Sequence, residues 1–114
     1  MASYNETVTF TGKSGSKYKF TAYAMGEECK DESGVYIFAK RTQQANGVGS
    51  YLAVYIGMAK SFESRFYNHH KDDCIDKSGA NAICLMNVSK EEERIRIEKD
   101  LLAAYNTSCN EVDN

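Results

Sequence analysis

Long hydrophobic runs are missing from this 114-residue chain: none approaches the roughly 20 residues of a membrane-spanning helix. The opening MASYNETVTF has no basic segment followed by an apolar one, so neither a membrane span nor a secretory leader is expected. Positive charge is not in excess either. Fourteen Lys and Arg against 16 Asp and Glu give a formal net charge of −2, and the pI is about 5.7. That excludes a protein held on nucleic acid by bulk electrostatics, although not one with a local basic patch. CxxC pairs are absent, and Cys29, Cys74, Cys84 and Cys109 are widely scattered. Reduced, mostly buried thiols in a cytosolic protein are therefore expected. A sharper alternative is a metal site in HHKDDC, where a helix would put His70 and Cys74 one turn apart, with His69 and a distant cysteine completing it. Repeats and low-complexity tracts are also missing. What remains, 42% hydrophobic and 26% charged, is the composition of one soluble globular domain with its own core.

TVTFTG and YKFTAY alternate Val8/Phe10 and Tyr18/Phe20 around the turn residues of KSGSK, which predicts an N-terminal β-hairpin. EECKDESG is a polar connector. GVYIFAK reads as a strand, RTQQANGVGS as a glycine-containing loop, and YLAVYIG as a strand apolar enough to be central. After Gly57 the period changes: Ser61 can cap a helix on which Phe62, Phe66 and His69 share a face, with Arg65 beside them. DDCIDKSGAN reads as a loop and AICLMNV as a strand. SKEE (89–92) matches a capping box in which Ser89 caps and Glu92 reaches back, opening a final helix. The order β-β-β-β-α-β-α predicts an α+β fold, a small mixed, mainly antiparallel sheet flanked by helices.

That final helix raises a question. In RIRIEKDLLAAY, at about 100° per residue, Ile95, Leu101, Leu102 and Tyr105 share a face and Glu98 falls in the middle of it. Burying an unpaired carboxylate costs several kcal/mol, so a Glu there is expected at a rim, paired with a cation, or holding a metal. Glu91, Glu92 and Glu93 need no such account, since acids in the first turn complement the helix dipole.

GVY (34–36) and YIG (55–57) stand on the two strands that precede the helix bearing Arg65 and His69, and a later helix bears Glu98. In these features, and in their order, the chain resembles the GIY-YIG nuclease family. Val35 replaces the middle Ile of the first motif. The spacings from Tyr55 to Arg65 and from Arg65 to His69 are similar to the family's, and EKDLLAAYNTSCN is similar to its closing element, which ends at Asn110. The resemblance covers residues 34–110 and implies a nuclease-like domain there, which leaves the hairpin and acidic connector over 1–33 before it and a tail over 111–114. The chain also departs from the family. Met58 stands where many relatives carry a lysine, NTSCN lacks the proline common in that turn, the loop between the tyrosine motifs is longer, and no appended DNA-binding domain is visible.

Phosphodiester hydrolysis needs a deprotonated water, charge neutralisation at the phosphate and help for the departing oxygen. Glu98 is a hard oxygen ligand suited to one Mg²⁺ or Mn²⁺, and Arg65 could hold non-bridging oxygens through its planar fork. The resemblance implies Tyr36 as base, Tyr55 as an orienting or phosphate-contacting group, His69 as a hydrogen-bond partner of the phosphate or a tyrosine, and Asn110 as a brace. Lys60, Arg65, His69 and Lys71 form the expected nucleic-acid patch, interrupted only by Glu63. His70 is expected to face solvent. Each residue alone has a plainer reading: core-edge tyrosines, an exposed Arg/His face, a structural Glu98–Arg65 pair. Jointly they predict a cytoplasmic, metal-dependent endonuclease that binds DNA weakly and largely without sequence preference, with a protein partner or oligomer supplying specificity. Two alternatives stand beside it: a catalytically weak nucleic-acid-binding or partner-binding module with the same fold, and a zinc-bound interaction domain.

Overall fold

The computed structural model describes residues 3–25, 31–62 and 72–111. Within them the chain runs β1 (Ser3–Thr11), β2 (Lys17–Ala24), β3 (Gly34–Gln43), β4 (Gly49–Ala59), α1 (Asp72–Lys77), β5 (Ala82–Asn87), α2 (Glu91–Ala104) and α3 (Ser108–Glu111). The strands form one sheet in the order β1-β2-β5-β3-β4. Every neighbouring pair is antiparallel, so the sheet is not mixed as expected. The reason is the place β5 takes. β2 and β3 run parallel to each other with one strand's width between them, and β5 enters that slot against both. The hairpin is the β1–β2 pair, and β2 carries it into the sheet through Thr21↔Leu85 and Ala22↔Cys84.

Strand alternation sorts side chains onto two faces. On one, Phe10, Phe20, Val35, Ile37, Ile56 and Cys84 pack with Ile97 and Leu101 of α2. On the other, Tyr36, Phe38, Val54, Phe62 and Ile83 pack with Ile75 of α1 and Cys109 of α3. The sheet curls around α2. Glu6 on the edge strand β1 reaches Arg41 on β3 and Tyr51 on β4, which is the opposite edge strand and not the central one its apolar run predicts. Arg41 Nε and Nη2 donate to the two Glu6 oxygens at 3.1 and 3.0 Å, Tyr51 OH donates to Glu6 Oε1, and Gly49 N to Oε2 at 3.1 Å. At the other end of the hairpin Asp100 of α2 accepts from Ser14 N at 2.9 Å, Ser14 Oγ at 2.7 Å and Tyr18 OH at 2.7 Å. These bonds, Ser14's first, hold the Asp100 carboxyl below its ordinary value.

Three local expectations are corrected. DDCIDKSGAN is not all loop: Asp72–Lys77 is a short helix, stabilised by the burial of Ile75 and closed by a turn with Gly79 at φ 81°. The cysteines are not all thiols, because Cys74 on α1 and Cys109 on α3 form a disulfide with Cα atoms 5.8 Å apart. The fold brings together two residues separated by 35 positions, which no local spacing could reveal. Cys84 is a buried free thiol, pushed up by burial to about 12. The capping box does not form either: α2 starts one residue later, with Lys90 as its N-cap and no side-chain cap. Arg94 holds the entry loop instead, its Nη1 donating to the carbonyls of Val88 and Ser89 at 3.0 Å each. Among the described residues no helix is long and apolar enough to cross a membrane.

Candidate active site

The two glycines of the tyrosine motifs sit where backbone and ring come too close for a side chain. A Cβ on Gly34 would lie 1.9 Å from the Met86 carbonyl oxygen of β5. A Cβ on Gly57 would lie 2.6 Å from both Cζ and the hydroxyl of Tyr36, its cross-strand partner. The Tyr36 ring therefore crosses β4 at Gly57, where there is no side chain to block it. Tyr36 is completely buried, with its ring edge-on to Phe38 and Phe62. Half-buried Tyr55 stacks on it from the adjacent strand, with ring centroids 6.2 Å apart and planes inclined by 30°.

Asn110 brackets the next residue along β4. Its Oδ1 accepts from Ile56 N at 2.8 Å and its Nδ2 donates to Ile56 O at 2.9 Å, completing the edge strand as a neighbouring strand would. Thr107 Oγ1 fixes the amide by donating to the same Oδ1 at 2.6 Å. The disulfide at Cys109 ties the short helix that carries this bracket to α1.

Glu98 lies half-buried on α2, and α2 leans chiefly on β4 from the face opposite Tyr36. The structure thus gathers Tyr36, Tyr55 and Asn110 at β4, and carries Glu98 on the helix that packs on the other face of the sheet. Lys60 is exposed just past the end of β4. Arg65, His69, His70 and Lys71 lie outside the described residues, as does Phe66. Among the described residues no three His, Cys, Asp or Glu side chains gather as a metal-binding group. Cys74, spent in the disulfide, leaves the zinc set suggested for HHKDDC. A three-residue group is not required for Mg²⁺, which commonly takes only one or two carboxylates and completes its shell with water and phosphate oxygens.

The sequence reading missed Arg94. It lies one turn before Glu98 on the same stripe, and with Ile97 and Leu101 it is among the most buried residues of α2. Ile95, assigned to the core face, is only half-buried. The periodicity that singled out Glu98 would have found Arg94 had the stripe been scanned for cations as well as for carboxylates. No family model matches the chain, and no curated protein and no solved structure shows significant similarity to it.

Proposed function

We propose that the chain is a divalent-metal-dependent endonuclease of GIY-YIG type that hydrolyses DNA phosphodiester bonds. One observation carries most weight: the tyrosines of the two motifs stack on neighbouring strands, with the Tyr36 hydroxyl laid over Gly57. In this reading a water oxygen attacks phosphorus, its proton passes to the Tyr36 phenolate oxygen, and the bond from phosphorus to the departing oxygen breaks. Tyr55 orients the phosphate, and Asn110 holds β4 straight beneath both. Arg65 grips non-bridging oxygens, with His69 as a further hydrogen-bond partner. Mg²⁺ or Mn²⁺ held by Glu98 would supply Lewis-acid neutralisation of the phosphate charge. Lys60, Arg65, His69 and Lys71 give weak, salt-sensitive DNA binding, and a partner protein or a second copy supplies specificity. We place the chain in the cytoplasm, where cellular reductants would favour thiols at Cys74 and Cys109, so that the disulfide marks an oxidised form.

The complete burial of Tyr36 favours a second reading, a catalytically weak nucleic-acid-binding or partner-binding module in which that ring is only core. Nicking of supercoiled plasmid by the full chain separates the two. Cleavage that needs Mg²⁺ and disappears in Glu98→Ala, with the fold retained, supports the enzyme; a folded chain that binds but never nicks supports the module.

A further inference from the structure

Where the end of β4 meets the first turn of α2, Met58, Ala59, Lys60, Glu91 and Arg94 line a cavity of about 320 Å³. Arg94 sets its chemistry. The residue is only 6% exposed, yet among the described residues its guanidinium is bonded only to the Val88 and Ser89 carbonyls, both through Nη1. Among the described residues no carboxylate pairs with it, and Nε and Nη2 meet no acceptor. A buried cation that keeps unused donors beside a cavity is short of an anion. Lys60 adds a second positive charge at the rim, again without an ion pair among the described residues. The first-turn amides of α2 have no side-chain cap and add the positive end of the helix dipole. Glu91 on the rim opposes them, one carboxylate against two cations and a helix end.

We propose that this cavity binds a phosphate group, namely the phosphodiester of a DNA strand that flanks the one cleaved. Arg94 would donate to its non-bridging oxygens in the fork geometry that suits them, with Lys60 as a point charge. Arg94 lies one turn, about 6 Å along α2, from Glu98, which is one to two nucleotide steps at about 3.4 Å of rise each. A cavity of about 320 Å³ has room for the sugar as well as the phosphate. The identity of the strand rests on the endonuclease reading; the affinity for phosphate does not.

The test is anisotropy of a short fluorescent DNA duplex bound by the full chain without divalent cation, across a range of salt, so that cleavage plays no part. Lys60→Ala should weaken binding about 3- to 10-fold and reduce the slope of log K against log salt by about 0.9. Glu91→Gln should tighten binding about 2- to 5-fold by removing the opposing charge. Replacing each phosphodiester singly by a neutral methylphosphonate should reveal one position that weakens the wild type and leaves Lys60→Ala indifferent. Arg94→Gln should show the same loss. Because that variant also gives up two carbonyl contacts, the exposed residues Lys60 and Glu91 keep the test decisive if it fails to fold. Wild-type slope and affinity in both exposed variants would overturn the proposal. So would a silent methylphosphonate scan with tighter binding of 5′-phosphorylated ends, which would make the occupant a terminal phosphate. Binding with the expected variant effects in a chain that never nicks plasmid sinks the nuclease and keeps the pocket; nicking that ignores Lys60 and Glu91 does the reverse.

Discussion

The two faces of the sheet are built by different means. On the face that curls around α2, polar groups tie the ends of the curl together: Glu6 binds Arg41 and Tyr51, and Asp100 binds Ser14 and Tyr18. On the face under α1 and α3 four rings, Tyr36, Phe38, Tyr55 and Phe62, meet around Tyr36. The two tyrosines meet over a glycine, and this face is fastened by a covalent bond and an amide bracket at a strand edge. Polar groups that satisfy each other hold shape, whereas hydroxyl-bearing rings at a sheet edge can do chemistry. The proposed base therefore stands on one face and the proposed metal ligand, Glu98 of α2, on the other, and each prediction below asks how far the two faces act independently.

The largest effect is expected at Tyr36. Tyr36→Phe keeps the ring, so the fold should melt nearly as before, while single-turnover plasmid cleavage at saturating Mg²⁺ should fall about 10²- to 10⁴-fold. Wild-type cleavage by this variant would return Tyr36 to the core and remove the proposed base. Next comes the disulfide. It closes a loop of 35 residues, for which the chain-entropy estimate is about 3 to 4 kcal/mol. Cys74→Ser with Cys109→Ser, or reduction, should lower stability by that order. The loss should be local at first: the Ile56 amide, held by Asn110 beside Cys109, should exchange with solvent faster, while the Ile37 amide inside the sheet stays protected. Equal acceleration at both would mean that the faces open as one unit.

Gly57→Ala tests where the faces join. The added methyl must displace the Tyr36 ring, an overpacking cost of about 1 to 3 kcal/mol. Cleavage per folded molecule should drop further than that loss of fold explains, because the hydroxyl itself moves. A variant with reduced stability and normal activity would show that the position of the hydroxyl over β4 is irrelevant.

The strands were legible where alternation or an unbroken apolar run was strong. GVYIFAK is a strand buried on two sides, as its apolar run predicts, and the β1–β2 hairpin follows from turn residues between two alternating runs; YLAVYIG is a strand too, but an edge one, its apolar run explained by burial under helices on both faces rather than by a central place. The slot taken by β5 was not legible, since nothing in AICLMNV says which neighbours it will have; that depends on the space the earlier strands leave. The Ser89 cap failed for a similar reason. A guanidinium from the next turn competes for the entry loop, and a four-residue pattern does not contain that residue. Of the site, Tyr36, Tyr55 and Asn110 were visible as motif positions and come together along β4. Arg94 and the Cys74–Cys109 bond are long-range products of folding.

The smallest effect is expected from the clasp at the far end of the curl, and pH isolates it. Arg41's hydrogen bonds, and after them Tyr51's, hold the Glu6 carboxyl down to about 2 from an ordinary 4.5. Burial and the same carboxylate push the Tyr51 hydroxyl upward. Because the folded value for Glu6 lies below the unfolded one, its contribution is complete above the unfolded value and is lost as pH falls through the folded one. The loss should thus run from about pH 4.5 down to about 2. Asp100, also held low, adds to the same acid limb from the other end of the hairpin, so the wild-type profile alone cannot assign it. Glu6→Gln can. Its melting temperature at pH 7 should lie about 4 to 8 °C below wild type, and the two curves should converge as pH approaches 2. Cleavage per folded molecule at pH 7 should not change, since the clasp joins Glu6 to Arg41, Gly49 and Tyr51, toward the other end of the β3–β4 pair from Tyr36 and Gly57. Parallel curves down to pH 2 would mean that Glu6 does not close the curl. A fall in cleavage beyond the unfolded fraction would mean that the curl sets the β4 edge after all, and that the two faces are not independent.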